Sequence, residues 1–284
     1  MFRTLITAGI LTAVSAFAAD TALISLVPAE AKVVGGVHVD KTISSPFGQY
    51  VLEQFRDTDP NFQEFISASG FDPRRDLRDI VFASTTAERK GPGLIIAQGV
   101  FNGPQLLSAI QTKQGGTASS YRGINLVEKD GHAIAVADGS LAIAGTTSLV
   151  RAAIDRRSAT GAASALTTKA ISVSSRYDAW MVTSEVFVAP LPANGPNRQP
   201  FPVSPNFRGI LETSGGLTFG SIIQFSAEAL TRSDRDAQAL VDVIRLAASL
   251  LQMNGSSAEM QVLQPIFSSL VVNQEGSTVK LSFS

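Results

Sequence analysis

Six of the eight residues from Asp72 to Asp79 are charged, in a chain where charged residues make up 17% of the total. Three carboxylates, Asp72, Asp76 and Asp79, stand among three guanidiniums, Arg74, Arg75 and Arg78. Paired carboxylates can serve as the acid and base of glycoside cleavage, and Asp72 with Asp76, or Asp234 with Asp236, are the available pairs. Both pairs sit where helices are predicted to begin, a place that favours aspartate through capping and the helix dipole without any catalysis. Asp72-Pro73 reads as a cap followed by proline at the first helical position, with Leu77 and Ile80 turned inward. The equal and opposite charges then suit a solvated connector. On that reading Asp76→Asn and Arg75→Gln change stability little, whereas Phe71→Ala costs about 2 kcal/mol by opening a packed helix stop.

The two histidines are His38 and His132. A metal site could be drawn from His38, Asp40 and a distant third ligand. Residues two apart on a strand stand about 7 Å from each other, however, and no H-x-x-x-H spacing is present. The expected role of His38 is an exposed strand histidine beside Asp40. With no cysteine, no G-x-S-x-G and no S-x-x-K set, nothing marks a nucleophile. The stretches GPGLII and GGLTFG match neither G-x-G-x-x-G nor a P-loop, and they lie between strands. The sequence therefore points to no catalytic, cofactor-binding or metal-ligating residue.

The elements that must carry these residues begin after MFRTLITAGILTAVSAFAAD. Arg3, the apolar run Leu5 to Phe17 and the Ala16-Phe17-Ala18 site predict a signal peptide at residues 1–18, and so an exported protein of the periplasm or extracellular space. The run of about 13 residues is shorter than the roughly 20 of a membrane anchor. Later, LVDVIRLAASLL (240–251) contains Asp242 and Arg245, which predicts a core-facing helix and no membrane span after cleavage. The 24 acidic residues nearly balance the basic ones, and no Lys/Arg-rich run occurs, so there is no electrostatic case for nucleic acid. Without cysteine an exported domain is held by its core alone.

KVVGGVHVD (32–40) ends in alternation, predicting a half-buried strand with Val37 and Val39 on one face and His38 and Asp40 on the other. Ser45-Pro46 and Asp59-Pro60 start helices, the second stopping at Gly70 with Phe71 folded back on it. IVFAST and GLIIAQGVF form a hairpin, Asn102-Gly103-Pro104 starts a helix, and Asp130-Gly131 and Asp138-Gly139 make hairpin turns. TTSLVRAAIDRR is a further helix. Residues 158–172, small and polar, read as a linker between a first half, 19–157, and a second, 173–284. Residues 190–205 hold six of the thirteen prolines, the signature of an extended surface loop. Ser233 to Met253 is the strongest helix, with a capping box at Ser233 and Asp236 and a stripe through Ala237, Leu240, Val241 and Ile244. Asn254-Gly255 stops it, and a hairpin about Glu275-Gly276 ends the chain. Both halves run strand, insertion, strand pair, helix, strand pair, which leaves a duplication open. The predicted class is α+β, mainly antiparallel sheets with helices on one face.

The order SPFGQYVLEQF, SGFDPRRDLRDIVFAS, AIAGTTSLVRAAIDRR resembles exported bacterial proteins of unknown function, in which a helix runs into G-hydrophobic-D-P-x-x-D-L and then a strand. The lead LVPAEAKVVGGVHVD is similar as well, and the resemblance covers most of residues 23 to 157 and, loosely, the last helix and hairpin. It implies export and brings no catalytic residues. The reading that follows is a non-catalytic exported protein that binds an envelope protein or component. A carrier of a lipid or other apolar ligand is the alternative, and an envelope hydrolase the third. Small residues at Ala237 and Ala248 predict close packing of the last helix, too tight for a cavity of roughly 300 Å³, and hence no bound lipid.

Overall fold

Among the described residues the strand segments pair into one sheet of twelve strands, each antiparallel to its neighbours. The computed structural model describes residues 21–54, 60–88, 91–158, 163–185, 209–253 and 268–284. The signal peptide, the proline-rich loop and the Asn254-Gly255 stop predicted from sequence lie outside the described residues. β1 (Val33–His38) leads through α1 (Val39–Ser44), α2 (Pro46–Gln54), α3 (Pro60–Ser69) and α4 (Pro73–Asp76) to the hairpin of β2 (Leu77–Ser84) and β3 (Gly93–Gly99). Then come α5 (Gly103–Gln114) and the meander β4 (Thr117–Tyr121), β5 (Ile124–Lys129), β6 (His132–Ala137) and β7 (Leu141–Thr146). After α6 (Thr147–Arg156), α7 (Ala165–Ser174) and β8 (Ala179–Thr183), the chain forms β9 (Ile210–Phe219), β10 (Ile223–Thr231), α8 (Asp234–Met253), β11 (Val271–Glu275) and β12 (Thr278–Phe283). The class is α+β.

Local signals account for many of these boundaries. Gly70 has φ +69°, and its N–H donates to the Ile66 carbonyl at 2.8 Å, closing α3. Phe71 then folds onto Phe101, with ring centroids 5.3 Å apart. Ser233 Oγ accepts from the Asp236 N–H at 3.2 Å, the cap predicted for α8. Two predictions give way. Residues 165–174, within and beyond the predicted linker, are α7; Leu166, Ala170 and Val173 recur at helical spacing and are buried in the main core. The strand predicted to run to Asp40 ends at His38, and Asp40 belongs to α1.

The sequence pattern predicts helices on one face; the structure carries them on both. Ala133 and Ala135 of β6 point into the core formed with α6, α7 and the helical residues 21–25. Ile134 and Val136, alternating with them, point to the other face, where α5 and Phe65 of α3 pack. A strand that is apolar on both sides needs cover on both. α8 lies on this second face too, over Val272, Val279 and Ala229. Among the described residues, no helix is long and apolar enough to cross a membrane.

The two halves follow one plan within this single sheet. β1 and β8 pair at the centre, and outward from each come a hairpin pair and then the last strand of the half, β7 or β12. α5 and α8 make the corresponding connections on the same face. Where they correspond in position they differ in size, and that difference shapes the site.

Candidate functional site

His38 is buried, and its Nδ1 lies 2.8 Å from Asp79 Oδ1, the residue opposite it in β2. Its Nε2 is 3.0 Å from the Ser174 carbonyl at the end of α7. The expected exposed histidine beside Asp40 is therefore overturned, because antiparallel pairing brings a different aspartate to the ring. Both nitrogens face acceptors, so the imidazolium form alone can donate both bonds at once. A cation is also favoured at the negative end of α7. Among the described residues no group of three His, Cys, Asp or Glu side chains could hold a metal ion.

The charged stretch is packed as well as solvated. Asp76 is 7% exposed; its Oδ2 accepts from the Asp72 N–H at 2.8 Å and from Arg75 Nη2 at 2.7 Å, and its Oδ1 accepts from Arg75 Nε at 2.6 Å. Asp72 caps α4 through the Arg74 N–H at 3.0 Å and takes the Arg74 guanidinium on both oxygens. Hydrogen bonds from Arg75 and Arg74 hold the Asp76 and Asp72 carboxyls below the usual carboxylate range. With Asp79 on His38, the solvated connector predicted for all six residues fails for Asp76 and Asp79. None of these carboxylates lines the clefts formed by the described residues at Asp138, at Gly215 or at His132. Asp236 accepts from the Ser233 hydroxyl at 3.1 Å as part of the helix cap, and Asp234 is exposed beside it.

Among the described residues, an apolar feature able to bind a ligand lies on the α5/α8 face. One residue from each central strand falls in a single cross-strand row: Ile95, Phe82, Gly35, Met181, Gly215 and Ala227. In β2 and β3 the row carries Phe82 and Ile95; in the corresponding strands of the second half, β9 and β10, it carries Gly215 and Ala227. The missing bulk leaves an open trough of about 340 Å³, walled by Met181, Leu217, Phe225 and Ala227, with Thr213 at one end. Among the described residues no ionisable side chain lines it. Its floor must be glycine, since a Cβ on Gly215 would stand 2.3 Å from the Ser226 carbonyl oxygen.

α8 packs closely at Ala237 and Val241, whereas Ala248 is half-buried, and the space arises beside the helix, over β8, β9 and β10. Cross-strand placement hid it: GGLTFG, expected to lie between strands, falls largely within β9, and its letters do not say what faces the glycines. A second cleft, of about 370 Å³, is polar and lies at Asp138, Arg156 and Arg157. There Arg157 is already paired with Asp138, and Arg156 lies 3.8 Å from Glu30.

No known sequence family and none of the curated proteins matches the chain. Solved structures do. Crystal forms I, III and IV of the protein TP0453 match with TM-scores of 0.52, 0.55 and 0.53, each at 9% identity. The matches cover 92% of this chain in each case, and 92%, 93% and 92% of the respective TP0453 chains. Likeness at that identity shows a shared fold.

Proposed function

We propose that this chain is an exported, non-catalytic carrier that holds an apolar ligand in the trough over β8, β9 and β10. The observation that carries the reading is an open space of about 340 Å³ whose described lining holds no ionisable group. That volume lies at the lower end of the range of small-ligand sites, roughly 300–1,000 Å³. Export is supported by Arg3, the apolar run and the Ala16-Phe17-Ala18 site.

The same trough is a poor seat for a partner's peptide. The backbones of β8, β9 and β10 are engaged in their ladders, so an entering peptide would bury its amides without partners. A hydrocarbon has no such cost. Nothing there favours catalysis either, because among the described residues no acid or base faces the trough.

Titration of the purified mature protein with N-phenyl-1-naphthylamine tests the reading. A saturable fluorescence rise is expected, reversed by fatty acid. Ala227→Phe, which restores bulk to the trough wall, should weaken binding about tenfold or more while leaving the far-ultraviolet circular dichroism unchanged. The absence of saturable binding by the wild type would sink the proposal.

A further inference from the structure

We infer that the ligand is a long unbranched hydrocarbon chain lying across the strands, with one part in the trough and the rest on a shelf made by Phe82 and Ile95. The inference rests on the carrier reading and specifies its ligand class and two specificity-determining residues. Its basis is continuity: the trough wall at Ala227 and the shelf at Ile95 belong to one row of paired residues, so a straight path joins them. The shelf is open among the described residues, with Phe82 37% and Ile95 51% exposed although both are large and apolar. The Phe82 ring extends over β1, for a Cβ on Gly35 would fall 2.2 Å from its Cζ. Glycine at 35 thus lets the ring extend the apolar surface toward Met181.

Polarity sets the direction. On one side of the row stand Thr213, Thr183 and Ser84, which share a register through Val33. On the other, Phe47 of α2 stacks on Phe219 at the end of β9, with centroids 5.1 Å apart, and blocks an exit along the strand. Across the strands the row is apolar throughout. From Ala227 to Ile95 there are five strand-to-strand steps, about 24 Å at about 4.8 Å each, whereas the trough alone spans about two. A short chain therefore fills the trough, and a long one must use the shelf.

Competition against the dye with octanoate, dodecanoate and hexadecanoate separates the two claims. Wild-type affinity is expected to rise with chain length, by about twofold for each methylene laid on a one-sided shelf. Ile95→Thr, and separately Ile95→Thr with Phe82→Thr, should weaken hexadecanoate about tenfold or more and leave octanoate within about twofold. The single variant, at a half-exposed strand position that suits threonine, keeps the test valid should the double variant misfold. Octanoate and hexadecanoate binding equally to the wild type, or hexadecanoate binding unchanged in the Ile95→Thr variant, overturns the shelf while the carrier stands. Binding of no chain overturns both.

Discussion

Replacing His38 with alanine is expected to lower the unfolding free energy by about 3 kcal/mol, among the largest effects of any single polar substitution here. The His38 side chain is 10% exposed and the Asp79 side chain 19%, so the substitution strands a largely buried carboxylate and leaves the Ser174 carbonyl unmatched. It also cuts a side chain that joins β1, β2 and the end of α7 by hydrogen bonds. Asp79→Asn should cost less, because an amide oxygen still accepts from the ring. Urea melts give the ranking, and amide exchange near Ser174 should accelerate selectively in His38→Ala as the α7 terminus loosens. A loss below about 1 kcal/mol for His38→Ala would return the pair to the class of solvated surface contacts.

The pair also shows where sequence stops informing. Caps, stops and turns are local, and they were legible: Gly70 with Phe71, Ser233 with Asp236, and Asp138-Gly139 in its hairpin turn. His38 meets Asp79 across 41 positions through strand pairing, and alternation alone cannot say which partner strand arrives. Val39 continued the alternating pattern while already helical, and no side-chain cap at His38 announces the change. In α7 the small residues mask the period, yet Leu166, Ala170 and Val173 show it once burial is known. The trough is least visible of all. Its row draws single residues from separate strands, each unexceptional in its own segment, and the site lies in what Gly215 and Ala227 lack relative to Phe82 and Ile95.

Asp76→Ala is expected to cost about 2–3 kcal/mol, comparable to the roughly 2 kcal/mol for Phe71→Ala and reversing the order that a solvated cluster would give. The carboxylate is nearly buried, and its loss leaves the Asp72 N–H without an acceptor just where α4 begins. Arg75→Gln should be milder, for the Arg75 side chain is 70% exposed and Asp76 keeps its backbone donor. Acidity supplies an independent check. The Asp76 carboxyl is held below its ordinary value chiefly by the Arg75 hydrogen bonds, and Asp72 likewise by Arg74. Groups depressed on folding contribute stability that is complete above their unfolded values and is lost as pH falls through the folded ones. Wild-type stability should therefore decline below about pH 4, and Asp76→Ala should flatten that decline, since one of the two protonation events no longer distinguishes folded from unfolded chains. Equal acid slopes for the two proteins, or a cost for Asp76→Ala no larger than that of Arg75→Gln, would show that the carboxylate is solvated and the packed corner at α4 is not built on it.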